Sequence, residues 1–437
     1  MASVAFTGVL IIALVAVAVP LLGALVPRLP LPGAVVEVVA GIVIGPAVLG
    51  WVHLDASVQV LSDLGLGMLL FLAGMEIDVE RLRGPLGRLA GRAFAVSILL
   101  GLGCSLIISE VGLGTKPIFL TVVVVSTSAG LLLPLLKDAG QQHTTFGQLV
   151  LTAAALAEVA SVLTLSLLFS ATARTATARL ASLATFVALL AVIALALAHL
   201  RRSPRVERLL ERLEDRSGQL RVRAALTLAL SFAVLANRFG LASILGAFAA
   251  GLLVRTIDLT GRAPHPHFQI KLEGVGFGFL VPIFFITVGI QFDATALVRN
   301  PTAMAAIPLF LAALLIVRAI PALLYTPHIG RRHATAAGLM QATNLTFVIV
   351  AAQLGVATGQ LSPTAAASLL AAGLLSAALF PLAALKVLPT PAPPTPPAQI
   401  DRSHPTASRT LPEARPAAQP SNLAVRSLAE GSSACRR

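Results

Sequence analysis

Glu158 stands inside a long apolar run. It lies in GQLVLTAAALAEVASVLTLSLLFS, residues 147–170, with no other charged residue within ten positions. A charge at the centre of a bilayer costs at least about 2.5–3.5 kcal/mol, so a carboxyl group there needs a reason. Apolar surroundings favour the protonated acid, and a bound cation favours the ionised one. One such group can therefore trade a proton for a cation. The plainer alternative is a permanently protonated acid making one helix–helix hydrogen bond. Arg318, in LAALLIVRAIPALLY, is the second ionisable residue of this kind. It can counter the carbonyl ends of interrupted helices, pair with Glu158, or snorkel to the inner face. Glu37 reads as a packing group, with a proton-linked role as the alternative. Asp63 reads as interfacial.

Two polar clusters accompany these charges. One is Ser126, Thr127 and Ser128, followed by Gly130 and Pro134; the other is Gln341, Thr343, Asn344 and Thr346. Both fall midway along apolar runs. Such clusters suggest broken helices, whose freed backbone groups and half-helix dipoles bind ions at the membrane midplane. Helix-to-helix hydrogen bonding is the simpler use of the same residues. Other chemistry is missing. There is no G-x-x-x-x-G-K-[ST] and no H-E-x-x-H, and GVGFGF (274–279) has the wrong spacing for a nucleotide fingerprint and reads as close-packing glycine. Cys104 and Cys435 make neither a disulfide framework nor a metal site. No enzyme activity and no cofactor is expected.

The elements that must hold these groups are membrane helices. Of the 437 residues, 57% are hydrophobic and 12% charged, and aromatics are only 5%. That excludes an ordinary soluble domain and an aromatic-girdled barrel. Stretches of about 20 apolar residues occur thirteen times: roughly 3–27, 33–51, 59–77, 89–108, 116–136, 146–170, 181–199, 222–237, 239–256, 272–291, 302–325, 333–356 and 362–388. The first has no basic n-region and reads as a retained helix. With the N-terminus outside, the inner loops hold 19 Lys and Arg, including eight arginines between Arg201 and Arg223, and the outer loops hold 5. The positive-inside rule thus places the N-terminus outside and the C-terminus in the cytoplasm of a multi-pass cell-membrane protein. The net charge of +13 follows from that topology and is no sign of a nucleic-acid partner. Residues 389–437 carry 10 of the 28 prolines and read as a disordered cytoplasmic tail after a transmembrane domain, 1–388. The basic loop 200–223 reads as a solvated connector near anionic lipid.

An internal repeat organises the spans. LLFLAGMEID (69–78) resembles FFITVGIQFD (284–293), pairing Gly74 with Gly289 and Asp78 with Asp293 at an offset of 215. The same offset lays STSAGLLLPLLKDAG (126–140) on QATNLTFVIVAAQLG (341–355), and an offset of 210 lays AGIVI (40–44) on AGLLV (250–254). Spans 1–6 then match spans 8–13 with reversed orientation, which is an inverted repeat. The expected fold is all-α: about thirteen transmembrane helices in two inverted six-helix repeats, with crossed broken helices.

PGAVVEVVAGIVIGPAVLG, LGLGMLLFLAGMEID, GLASILGAFAAGLLVR and FLVPIFFITVGIQFD, in this order and spacing, resemble the monovalent cation:proton antiporter-2 family over about residues 5–388. The resemblance implies exchange of Na⁺ or K⁺ for H⁺, a core domain moving against a dimerisation domain, and hence a homodimer. It places the ion-binding acid at Glu158 and the basic counterpart at Arg318. The helix-break residues become Ser126, Thr127 and Ser128 with Gln341, Thr343 and Asn344, and Glu158 and Thr127 become the ligands of the transported metal ion. Two departures stand out: the family's acid is usually Asp, and the position before it is Ala157 here. A single titrating carboxylate suggests electroneutral exchange, and Arg318 fits, since guanidinium does not deprotonate. No nucleotide-gating domain is expected. A non-exchanging permease or organic-anion symporter on the same fold is the alternative function.

Overall fold

A computed structural model describes residues 6–25, 32–168, 176–201, 219–259 and 266–388. The expected tail, most of the 200–223 connector, and Arg28, Arg174 and Arg262 lie outside these residues. In a bilayer every backbone group must be paired within its own segment, so apolar stretches become helices. Among the described residues the isolated bridge Thr115–Leu361 is the β contact.

The first part of the chain forms α1 (Phe6–Leu25), α2 (Gly33–Ile44), α3 (Ala56–Glu76), the short α4 (Val79–Arg83) and α5 (Pro85–Glu110). Next come α6 (Pro117–Val125), α7 (Ala129–Asp138), α8 (Thr145–Leu168) and α9 (Ala176–Arg201). The second part holds α10 (Leu220–Arg238), α11 (Ser243–Leu259), α12 (Pro266–Val275), α13 (Val281–Gln291) and the short α14 (Ala294–Arg299). It ends with α15 (Pro301–Ala322), the short α16 (Thr326–Ile329), α17 (Arg331–Gln341), α18 (Thr346–Ala357) and α19 (Pro363–Val387). Among the described residues, ten helical stretches are long and apolar enough to cross a membrane, and three shorter apolar helices join them. Each of these helices overlaps one of the expected stretches.

Two elements differ from expectation. The second stretch was expected to run to residue 51, yet α2 stops at Ile44. Gly45 precedes Pro46, and a residue before proline avoids the helical region. The chain then folds back, with Gly50 (φ +63°) donating its N–H to Gly45 O at 2.8 Å. In GVGFGF only the middle glycine is close-packed: a Cβ on Gly276 would press on Leu72, whereas Gly274 and Gly278 meet nothing. Residues Gly276–Leu280 widen into a single π-turn joining α12 to α13.

Landmarks recur about 215 residues apart. α3 ends on Glu76 and α13 on Gln291; Asp78 precedes α4 and Asp293 precedes α14; α5 and α15 begin on Pro85 and Pro301. The tight crossings recur too. A Cβ on Gly41 of α2 would overlap Ile286 O of α13, and one on Gly289 would overlap Val38 O. The matching pair is α11 against α3, where a Cβ on Gly251 would overlap Phe71 O and one on Gly74 would overlap Phe248 O. Small residues let helix backbones approach where no hydrophobic drive separates helix from lipid. Phe119, Phe284 and Phe310 lie in one buried core and Phe71 in a second. By contrast α1 exposes Leu10, Leu14, Val17 and Leu21, as a helix on the lipid side of a bundle does.

Asp78 fixes the turn out of α3. Its Oδ1 accepts the N–H groups of Glu80 at 3.1 Å and Arg81 at 3.2 Å, and its Oδ2 meets Arg81 Nε at 2.8 Å. The ion pair is exposed and adds little, so the cap carries the effect. Asp78→Ala is expected to cost about 1 kcal/mol, read as a small fall in the melting temperature of the purified protein.

Candidate functional site

Two helices are broken where the sequence places its polar clusters. Between α6 and α7 the chain is extended at Ser126 and Ser128. Between α17 and α18 the gap is residues 342–345. Each break leaves one helix end with free carbonyls and one with free N–H groups. Buried in a membrane, all four ends need partners.

The two breaks supply three of these partners to each other. Asn344 Nδ2 donates to Val123 O at 2.8 Å and to Ser126 Oγ at 2.6 Å, closing the carbonyl end of α6. Thr127 Oγ1 donates to Gln341 O at 2.7 Å, closing the carbonyl end of α17. Ser128 Oγ accepts the N–H groups of Leu345 at 3.1 Å and Thr346 at 3.0 Å, capping α18 from the other break. Ser128 N donates to Thr343 O at 3.2 Å. From α19, Ser376 Oγ accepts the Asn344 N–H at 3.1 Å.

The fourth end is met by an acid. Glu158, 3% exposed in α8, turns its carboxyl group toward the Ala129 N–H at the start of α7. A helix N-terminus favours negative charge. Thus three of the four ends are closed by neutral side chains, and the fourth faces an ionisable group. Glu158 Oε2, Thr343 Oγ1 and Asn344 Oδ1 are buried and have no hydrogen-bond partner among the described residues. Oxygen atoms of this kind are what hard cations take as ligands.

Glu158 opens on a cavity of about 410 Å³, lined also by Glu37, Glu76, Gly130, Phe285 and Thr346. A second cavity, about 190 Å³, is lined by Glu76, Asp78, Arg81, His143, Arg255 and Gln269 among others. It opens beside Asp78 and Arg81 after α3, Gln142 and His143 after α7, and Arg255 near the end of α11.

All six helix-break residues come together at the crossing, and each is at most 2% exposed. Thr127 spends its hydroxyl hydrogen on Gln341 O and does not line the larger cavity; Thr346, from the other cluster, does. Arg318, 2% exposed, does not pair with Glu158. It donates to Gln341 Oε1 at 3.1 Å and to Ser97 Oγ at 3.4 Å, and it lies 5.9 Å from the Phe94 ring centroid. It therefore stands at the carbonyl end of α17, where a cation is favoured, and this burial rules out snorkelling. Glu37, read as a packing group with a proton-linked role as the alternative, lines the larger cavity. Glu76 was passed over because it ends a span beside charged Asp78. Its signal was its place in LLFLAGMEID, opposite Gln291 of FFITVGIQFD.

Comparison with known proteins agrees with this architecture. The putative Na⁺/H⁺ antiporter YjbQ of Bacillus subtilis (strain 168) is 28% identical over 343 residues, which is 75% of this chain and 54% of that protein. The chain thus spans about half of that relative. The Na⁺/H⁺-K⁺ antiporter GerN of Bacillus cereus is 29% identical over 64% of this chain and 71% of its own. An Na⁺/H⁺ antiporter of Enterococcus hirae is 26% identical over 61% of this chain and 68% of its own. The solved structure of the sodium proton antiporter MjNhaP1 of Methanocaldococcus jannaschii shares the fold at a TM-score of 0.58 and 13% identity, covering 87% of this chain and 97% of that one. The family model for the transmembrane sodium/hydrogen exchanger matches residues 11–388, and the chain belongs to that family.

Proposed function

We propose that this protein is a secondary antiporter that exchanges Na⁺ or K⁺ for H⁺ by alternating access, with Glu158 as the shared site. The observation that carries this reading is a buried ionisable group, Glu158, that lines the larger cavity and faces the start of α7, where neutral side chains close the other three helix ends. Protonated, Glu158 is a neutral hydrogen-bonding acid. Ionised, it binds a monovalent cation together with oxygen atoms from the helix breaks, Thr127 and Asn344 among them. Proton and cation compete for one carboxylate, so one leaves as the other arrives. The relatives' names support the ion class, and GerN's name adds K⁺ to Na⁺.

Arg318 remains charged throughout and balances the carbonyl end of α17, so it carries no proton across. One cation per proton makes the exchange electroneutral. The protein works as a homodimer in the cell membrane, with its basic loops and C-terminus in the cytoplasm. The small cavity beside Arg81 and Arg255 is then the cytoplasmic entrance.

The test is reconstitution in proteoliposomes containing a pH-sensitive dye, with Na⁺, K⁺ and Li⁺ added in turn. Na⁺ or K⁺ is expected to drive proton movement at a rate that does not change under an imposed membrane potential. A rate that follows the potential overturns electroneutrality. Proton movement with none of the three cations overturns antiport.

A further inference from the structure

We propose that Glu76 is a proton-transfer carboxylate that connects Glu158 to the cavity on the basic-loop face. The inference rests on the exchange reading for Glu158 and adds the route by which its proton comes and goes.

The argument starts from position. Glu76 is the last residue of α3. Among the described residues it alone lines both cavities, the larger with Glu158 and the smaller with His143 and Gln269. Its Oε2 is buried with no hydrogen-bond partner. A Cβ on Gly130 would lie 3.9 Å from Glu76 Oε2, and the preceding residue, Ala129, faces Glu158. Both carboxyl groups therefore flank the first turn of α7 and are close enough to interact electrostatically. The other charged or titratable groups around Glu76 are Glu37 on the larger cavity, Asp78, Arg81, His143 and Arg255 on the smaller, and Glu273 on α12.

A structural acid would have a partner that explains it. Capping does not, because α3 closes on the Ile77 N–H donating to Gly74 O. A paired charge does not, because no cation is recorded against its carboxylate among the described residues. What remains is a carboxyl group between a polar cavity and a deep one. The transfer balances as follows. Protonated Glu158 gives its proton to the Glu76 carboxylate and is left ionised to take the cation. Glu76 then releases the same proton to water in the smaller cavity, and the reverse order loads it.

The matched position in the second half is Gln291, which cannot titrate. It lies on an amide chain, accepting from Gln353 at 3.4 Å and donating to Gln59 at 3.4 Å. The relay is thus built into one face alone.

The experiment compares wild type, Glu76→Gln and Glu76→Asp in proteoliposomes, with Na⁺ concentration varied and pH set separately on each face. Glu76→Gln is expected to lower the maximal exchange rate about tenfold and to remove one ionisation from its dependence on pH at the basic-loop face. The KM for Na⁺ should not change, and Glu76→Asp should restore most of the rate and the lost ionisation. A raised KM at unchanged rate and pH profile would make Glu76 a cation ligand and overturn the relay. Equal losses in both variants with an unchanged pH profile would make it structural. Wild-type behaviour of Glu76→Gln overturns the relay alone, whereas exchange retained in Glu158→Gln overturns the function on which it rests.

Discussion

Glu158→Gln is expected to abolish exchange, by at least about 100-fold, for every cation that the wild-type protein moves. The amide keeps the shape of the side chain and an oxygen to face the Ala129 N–H. It loses the charge that binds the cation and the site that binds the proton. A 100-fold loss corresponds to about 2.7 kcal/mol, similar to the least cost of an uncompensated charge in a membrane. Folded yield and melting temperature should stay at wild-type values, because a neutral amide removes a buried charge and opens no cavity. Dye dequenching in proteoliposomes gives the rate, and retained exchange sinks the mechanism. Glu158→Asp should instead keep exchange with an altered KM, since the carboxylate survives but withdraws by one methylene. In the wild type, acidifying the medium should raise the apparent KM for the cation, because proton and cation contest one group.

Asn344→Ala is the second large effect, and it falls on structure and transport together. The substitution removes the donors to Val123 O and Ser126 Oγ and leaves Val123 O only its local bonds from the Ser126 hydroxyl and N–H. Hydrogen bonds between membrane helices average about 0.6 kcal/mol and reach about 1.7 kcal/mol. Losing two predicts roughly 1–3 kcal/mol of stability. The melting temperature in detergent should fall by several degrees, and exchange by at least about tenfold, since this side chain ties the second break to the carbonyl end of α6. Ser376→Ala is the control. It takes one acceptor from the Asn344 N–H but leaves both side-chain bonds, and should lose far less exchange. Equal losses in the two variants would show that the break tolerates the loss of its side-chain bridge.

The span positions, the two polar clusters and the buried acid are all legible in the sequence, for one reason. A bilayer punishes charge and unpaired backbone so heavily that exceptions are visible in one dimension. Glu158 and Arg318 stand out because nothing near them in sequence is charged. Ser126–Ser128 and Gln341–Asn344 stand out because each interrupts an apolar run, and their offset of 215 suggested that they are counterparts.

Pairing was not legible. Opposite charges on separate helices suggested Glu158 against Arg318, yet each stands at a helix end: Arg318 bonds the Gln341 side chain at the end of α17, and Glu158 faces the Ala129 N–H at the start of α7. Dipole ends exist only once the helices are broken and crossed, so no spacing rule reveals them. Glu76 was hidden for a related reason. A charge at the end of a span looks interfacial, and only the packing of α3 against α7 turns its carboxyl group into the space between two cavities. That Glu37 lines a cavity was hidden likewise, since one helix alone does not say which of its faces meets one. The sequence by itself determined which residues are costly in a membrane, because that cost depends on depth and residue type. The tertiary structure decided which helix end or cavity answers each of them, because those partners lie across hundreds of residues and appear only when the two breaks meet.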